Sequence, residues 1–124
     1  MTFRKWILLA ALAACAAVSL YAADISGTWT AKFDSQVGEQ SYTYTFKVTG
    51  TTLTGRATSS LAGESEIAEG KVNGDTVTFV ENLNFQGMPL KITYTGKVVS
   101  NDEIKFTRNV ADIASEEIVA KRSK

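Results

Sequence analysis

The sequence predicts an all-β protein, an eight-stranded antiparallel up-and-down barrel that follows an N-terminal signal peptide. The first observation is the alternation of apolar and polar residues, which runs with a period of two through nearly all of the chain after Asp24. The second is the spacing of turn-forming Gly, Asn, Asp and Ser residues between the alternating segments. The predicted strands cover residues 25–33, 41–48, 52–57, 65–72, 77–79, 90–98, 104–106 and 117–122. In the fourth strand the parity shifts between Ile67 and Val72, which predicts a β-bulge.

Residues 1–23 have the pattern of a secretory signal peptide. Arg4 and Lys5 are the only charges in this stretch, and an apolar, alanine-rich run follows them to a cleavage site at Ala23. A membrane anchor is the alternative for an apolar run of this length, but no basic stop-transfer cluster follows it. We therefore divide the chain into a signal peptide, residues 1–23, and a β-barrel domain, residues 24–124, with no membrane span in the mature form.

A second route of processing competes with cleavage at Ala23. Leu12-Ala13-Ala14-Cys15 resembles the lipobox of bacterial lipoproteins, in which the cysteine is acylated and becomes the mature N-terminus. The apolar run continues past Cys15 as far as Tyr21, whereas a lipoprotein usually turns polar after its cysteine. The sequence thus predicts a periplasmic or secreted protein, with a membrane-anchored lipoprotein lipidated at Cys15 as the alternative.

The composition of the mature domain excludes the common catalytic and metal-binding sites. It has no histidine and no cysteine, so Ser-His-Asp triads, Cys-His pairs and the usual zinc ligand sets are ruled out. Eleven basic and thirteen acidic residues give it a net charge of −2, which offers no electrostatic support for binding nucleic acid. We expect a protein that is not an enzyme and that needs no metal or cofactor.

Tight and longer connections alternate along the chain. The tight turns lie at residues 49–52, 73–75 and 100–102, and the longer connections at 35–40, 59–64, 84–88 and 109–116. Successive connections of an antiparallel meander lie at opposite ends of the barrel. The tight turns therefore share one end, here called the bottom, and the longer connections surround the other end, here called the mouth.

The inward-facing positions of the predicted strands are rich in aromatic residues. An eight-stranded barrel has room for packed side chains or for one small ligand, so a solid aromatic core and a ligand site are alternatives. Tyrosines at inward positions favour a partly polar interior, because each buried hydroxyl needs a hydrogen-bond partner. The inward aromatic residues are Trp29, Phe33, Tyr42, Tyr44, Phe46, Phe79, Tyr94 and Phe106.

Glu81 and Arg108 are predicted to form a charged pair inside the mouth. Each continues the inward parity of its strand, and both strands rise from the bottom. Two strand spacings amount to about 10 Å, a gap that an arginine side chain can close. A guanidinium there suits a ligand carboxylate or phosphate, with Glu81 as its resting partner, while solvated charges at the strand ends are the alternative. The whole predicted ligand site is Phe33, Tyr42, Tyr44, Glu81, Tyr94 and Arg108.

The two ends of the barrel domain resemble a known group of proteins. Gly27-Thr28-Trp29 on the first strand and Arg122 near the end of the last resemble the calycins, which include lipocalins, fatty-acid-binding proteins and avidins. This resemblance implies that Trp29 packs against Arg122 and closes the bottom of the barrel. Avidin-like biotin binding is not implied, because Trp29 is the only tryptophan of the mature domain. The string from Gly27 to Phe33 also resembles small exported bacterial β-domains of unassigned function.

Three functions are compatible with these features. The first is a non-catalytic barrel that binds a small, partly apolar or anionic ligand at its mouth. The second is a periplasmic protein-interaction module, with some resemblance to bacterial metalloprotease inhibitors, that uses residues 84–89 with the apolar Phe85 and Met88. The third is an accessory structural domain without a ligand. The expected partner is a small molecule or a periplasmic protein.

Overall fold

Eight antiparallel strands close into a barrel in which every strand pairs with its neighbours in sequence, so the predicted fold class is confirmed. The computed structural model describes residues 23–35 and 38–123, and the predicted signal peptide as far as residue 22, with Cys15, lies outside the described residues. Within these ranges no helix is long and apolar enough to cross a membrane. The strands are β1 (Gly27–Ser35), β2 (Gly38–Thr49), β3 (Thr52–Ser59), β4 (Gly63–Asn73), β5 (Thr76–Phe85), β6 (Met88–Ser100), β7 (Glu103–Val110) and β8 (Ala114–Arg122).

The strands form because alternate side chains can be buried together on the inner face of the sheet. In β2 every second residue from Gln40 to Phe46 is buried, and the residues between them are exposed. Threonine is frequent on the outer face, where Thr43 lies between Thr30 on β1 and Thr58 on β3. Its branched Cβ favours extended backbone, so the outer face supports the strand conformation without adding to the core.

The fourth strand is irregular, as the parity shift predicted. Its register against β3 slips between Leu53 and Arg56, and its register against β5 slips between Ala68 and Lys71. Glu69 on β4 lies within both irregular stretches and has a φ of 52°. Bulges of this kind bend a strand and increase its twist, which helps a small sheet to curl into a closed barrel.

The connections at the mouth are shorter than predicted. β5 runs to Phe85 and β6 begins at Met88, so Gln86 and Gly87 alone form the turn, with φ values of 53° and 81°. Residues 111–113 join β7 to β8, and residues 60–62 join β3 to β4. The prediction of long mouth loops was therefore wrong. A turn with two positive φ values matches the twist of the flanking strands, so the strands continue up to it.

The bottom of the barrel is closed by Trp29 and Arg122. The two residues are register partners where β1 meets β8, and the guanidinium carbon lies 4.5 Å from the centroid of the indole ring. Arg122 also donates hydrogen bonds of 3.2, 2.8 and 2.9 Å to the carbonyl oxygens of Asp24, Ser26 and Asn101. One side chain thus ties the segment before β1 to the turn between β6 and β7.

The segment before β1 covers the bottom of the barrel. Ile25 is buried in the core, and its carbonyl oxygen accepts a 2.9 Å hydrogen bond from Nε1 of Trp29. The backbone N–H of Ala23 donates a 2.8 Å hydrogen bond to the carbonyl of Gly74, in the turn between β4 and β5. A ligand that enters the barrel must therefore enter at the mouth.

We expect Arg122→Ala to lower the free energy of unfolding by about 2 kcal/mol, since it removes a cation–π contact and three hydrogen bonds. In a domain of this size the melting temperature should fall by roughly 10 °C. Lys105→Ala, which removes an exposed lysine of β7, is the control and should shift the melting temperature by no more than about 2 °C. Circular dichroism measures both transitions. Equal losses would show that the contact between Trp29 and Arg122 does not hold the barrel closed.

Candidate functional site

A network of buried polar side chains crosses the barrel below the mouth. Glu81 on β5 is fully buried, and only 2% of Arg108 on β7 is exposed. The hydroxyl of Tyr94 on β6 donates to Oε1 of Glu81 at 2.9 Å, and that of Tyr42 on β2 donates to Oε2 at 3.0 Å. Arg108 in turn donates from Nε to the Tyr94 hydroxyl and from Nη2 to the Tyr42 hydroxyl, both at 2.9 Å.

The direction of every hydrogen bond in this network is fixed by its arginine. A guanidinium has no acceptor, so both tyrosine hydroxyls accept hydrogen bonds from Arg108 and donate their own hydrogen bonds to Glu81. The Tyr44 hydroxyl, 2.9 Å from that of Tyr94, is then the donor of this pair. Ser65 Oγ adds a weaker contact of 3.4 Å to Oε2 of Glu81. The hydrogen bonds that Glu81 accepts from these donors favour its ionised form.

Burial shifts the titration of the groups in the network. It raises the pKa of Glu81 above the usual range, against the opposing effects of the Tyr94 hydrogen bond and the charge of Arg108. Burial and the charge of Glu81 raise the pKa of Tyr42 to about 12. The pKa values of Tyr94 and Tyr44 also lie well above the usual range, chiefly because of burial. All three hydroxyls therefore keep the protons that they donate.

Glu81 and Arg108 do not contact each other directly, in contrast to the predicted charged pair. The carboxylate that Arg108 contacts among the described residues is Glu116 on β8, with 2.6 Å between Nη1 and Oε1. Tyr94 is the register partner of Arg108 on the strand between β5 and β7, so its hydroxyl lies where a direct pair would form. Both charges are nevertheless inside the barrel rather than solvated at its rim.

Aromatic rings enclose the guanidinium of Arg108. Its carbon lies 5.2 Å from the ring centroid of Phe33, 5.1 Å from that of Tyr42 and 5.8 Å from that of Tyr94. Phe33 in turn stacks on Tyr42 with 5.7 Å between centroids. These contacts and the hydrogen bonds together hold the charged group in one position.

Aromatic side chains fill the barrel below this network. Phe79 stacks on Tyr94 with 4.2 Å between the ring centroids, and it meets Phe106 and Tyr44 edge-on at 5.7 and 6.1 Å. Rings packed at these distances occupy the interior as they do in an ordinary protein core. The solid aromatic core that the sequence allowed as an alternative is thus present in the lower half of the barrel.

Above the network a cavity of about 230 Å³ opens at the mouth. Its wall is mainly apolar, and Arg108 and Glu116 are the charged residues among those that line it. Gln40 and Ser35 add polar groups on the side of β1 and β2. The apolar part of the wall comes from Ala62, Leu83, Leu90, Ile92, Val110 and Ala114.

Glu116 has one accessible carboxylate oxygen. Its Oε1 is bonded to Arg108, whereas Oε2 has no hydrogen-bond partner among the described residues. In the described part of the chain, every fully buried side-chain oxygen or nitrogen has a hydrogen-bond partner. Because Oε2 has none, it is not fully buried and is accessible to solvent. Only 12% of the Glu116 side chain is exposed, and the residue forms part of the cavity wall.

Three exposed apolar side chains lie around the entrance of the cavity. They belong to Leu61 in the turn between β3 and β4, Met88 at the start of β6 and Ile113 in the turn between β7 and β8. Met88 is 61% exposed and Ile113 is 73% exposed, and both also line the cavity. The side chain of Phe85, the other predicted apolar tip, lies outside the described part. An apolar entrance suits a ligand with an apolar portion.

Only one of the six predicted ligand-site residues, Arg108, lines the cavity. Phe33 and Tyr42 cover its guanidinium, and Glu81 lies beyond the bridging hydroxyls. Tyr44 lies deeper, against Phe79 in the aromatic core. The predicted set thus describes the floor of the cavity and its support, while most of the wall comes from other residues.

Glu116 is the main site residue that sequence reasoning missed. The predicted last strand began at residue 117, whereas β8 begins at Ala114. Ile118 and Ala120 are both buried, and their inward parity extended back by two residues places Glu116 inside the barrel. The alternation of β8 therefore indicated that Glu116 faces inward, but the predicted strand began one residue too late to include it.

The chemistry of the mouth suits binding. The charged groups in its wall are a guanidinium and a carboxylate that bind each other, and the remaining wall is mostly apolar. No protein-family model, no curated protein and no solved structure matches this chain.

Proposed function

We propose that this protein is an exported, non-catalytic binding barrel that holds one small, partly apolar molecule in its mouth. The observation that carries the proposal is the apolar cavity of about 230 Å³ with the Arg108–Glu116 ion pair in its wall. At about 30 Å³ for each water-sized group, such a volume accommodates roughly seven or eight non-hydrogen atoms. Concave, mostly apolar sites with a few convergent polar groups are the usual form of small-molecule sites.

The buried network supports this proposal because a core does not require it. Well-packed apolar side chains stabilise a barrel at least as well as buried charges do. Here Arg108 is instead held by two hydroxyls, a carboxylate and aromatic rings at the base of a cavity. A fixed polar floor of this kind pre-organises a binding site.

The resemblance to the calycins gives further support. An eight-stranded barrel closed at one end by a tryptophan and an arginine is the arrangement that the resemblance implies. Eight-stranded barrels of the lipocalin type have an interior that accommodates one small ligand. A site restricted to the upper half of such a barrel is consistent with the small volume found here.

Calorimetric titration of the mature domain, residues 24–124, with 1-hexanol, hexylamine and hexanoate tests the proposal. Each probe has seven or eight non-hydrogen atoms, and at least one of them should bind saturably with one molecule per barrel. Ala114→Phe places a ring in the cavity and should weaken that binding at least tenfold. Ser115→Phe places the same ring on the outer face of β8 and should leave the affinity unchanged.

Failure of all three probes to bind, or an equal effect of the two phenylalanine variants, would rule out the cavity as a ligand site. The exposed side chains of Leu61, Met88 and Ile113 would then favour the second candidate, a protein-interaction module. That candidate requires a periplasmic protein whose binding is lost in a variant with Met88→Ser and Ile113→Ser.

A further inference from the structure

We infer that the mouth selects a ligand with a protonated amine as its head group over one with a carboxylate. This inference rests on the proposed function, since it names the class of molecule that the cavity takes. It follows from the charges around the cavity floor and from two hydrogen-bond acceptors that can take a further donor.

The charges around the floor include no surplus positive charge. Arg108 is the one cation of the described network, and it faces Glu116 directly and Glu81 through two tyrosine hydroxyls. Two tyrosine hydroxyls and the charge of Arg108 favour the ionised form of Glu81, whereas burial favours its neutral form. Because Glu116 pairs directly with Arg108, the cluster is neutral or carries one negative charge and has no surplus positive charge, in a region where burial reduces screening by solvent.

A ligand carboxylate would meet an arginine that is already engaged. Its Nη1 binds Glu116, while Nε and Nη2 bind the hydroxyls of Tyr94 and Tyr42. To reach the guanidinium, an anion must displace Glu116 or share the arginine with it. Displacement exchanges one ion pair for another without a gain, and sharing places a second carboxylate close to that of Glu116.

A ligand ammonium would meet complementary groups in the same wall. Oε2 of Glu116 is an accessible acceptor that needs no rearrangement of the Arg108 ion pair. Gln40 lines the same cavity, and its Oε1 accepts one hydrogen bond, from Ser59 Oγ at 3.2 Å, which leaves its second lone pair. An ammonium has three donors to place on such acceptors, and its positive charge is attracted by the Glu116 carboxylate.

The relative affinities of the three six-carbon probes test this inference at pH 7. Hexylamine should bind at least tenfold more tightly than 1-hexanol, and hexanoate should bind most weakly. Glu116→Gln should lower the affinity for hexylamine about tenfold and raise that for hexanoate, because Arg108 then loses its carboxylate partner. Glu117→Gln removes the same charge from the outer face of β8 and should leave the order of the probes unchanged.

The outcomes separate this inference from the proposed function. Tighter binding of hexanoate than of hexylamine to the unaltered protein would overturn the inference and leave the proposed function standing. An amine preference that is unchanged in Glu116→Gln would also overturn it. Binding of none of the probes would overturn both. Because the order of the probes is measured first on the unaltered protein, the test does not depend on the folding of a variant.

Discussion

Replacing Arg108 with glutamine is expected to lower the free energy of unfolding by about 3–5 kcal/mol, the usual cost of removing one partner from a buried set of charges. The substitution leaves the charge of Glu81 inside the barrel without its compensating cation. It also takes a hydrogen-bond donor from the hydroxyls of Tyr42 and Tyr94. The melting temperature should fall by roughly 15 °C or more.

Urea unfolding of a double-mutant cycle measures this loss of stability and shows whether Arg108 and Glu81 are coupled through the network. The set is the unaltered domain, Arg108→Gln, Glu81→Gln and the double variant, with Lys105→Gln on the outer face of β7 as the control. The double variant should be more stable than the sum of the single losses predicts by at least about 1 kcal/mol, because the loss of Arg108 costs less when residue 81 no longer carries a charge. Losses that add to within about 0.5 kcal/mol would contradict a coupling through the tyrosine hydroxyls.

Gly55→Ala is the second substitution with a large expected effect. It should lower the free energy of unfolding by about 3–4 kcal/mol. Gly55 on β3 has a φ of 150°, and a Cβ added to it would lie 1.8 Å from the carbonyl oxygen of Thr45 on β2. That obstacle is backbone, so no side-chain rotation relieves it. Overpacking costs about 1–3 kcal/mol and backbone strain a similar amount.

Gly50→Ala separates the two contributions at Gly55. Gly50 lies in the turn between β2 and β3 with a φ of 63°, and an added Cβ would meet nothing within 4 Å. Backbone strain alone should cost about 1–2 kcal/mol there. Chemical unfolding of both variants provides the comparison. A loss at Gly55 no larger than that at Gly50 would mean that the β2–β3 ladder shifts to make room.

Alternation of side chains was sufficient to predict the barrel and part of its floor. The period of two in β2 and in the strands after it gave the number of strands and their order. The same parity placed Glu81 and Arg108 on the inner face, where both are buried. These features depend on the pairing of strands that are neighbours in sequence and on the two faces of a strand. Both can be read from the alternation of residues.

The mouth was harder to predict, because its geometry depends on where strands end and on contacts across the barrel. The connection predicted at residues 84–88 was too long, because Asn84 lies within β5 as the register partner of Pro89 on β6. Tyr42 reaches Glu81 and Arg108 from the opposite side of the barrel, at separations of 39 and 66 residues in sequence. Spacing along a strand does not reveal which hydroxyl fills the gap between two charges.

The position of bound hexylamine, observed by nuclear Overhauser contacts to the methyl groups of the barrel, is the most direct test of a ligand site in the mouth. We expect contacts from the methylene groups of the amine to Leu90, Ile92 and Val110 in the cavity wall, and none to the buried Ile104 near the bottom. Contacts confined to the exposed Val119 on the outer face of β8, with none to the cavity wall, would contradict it.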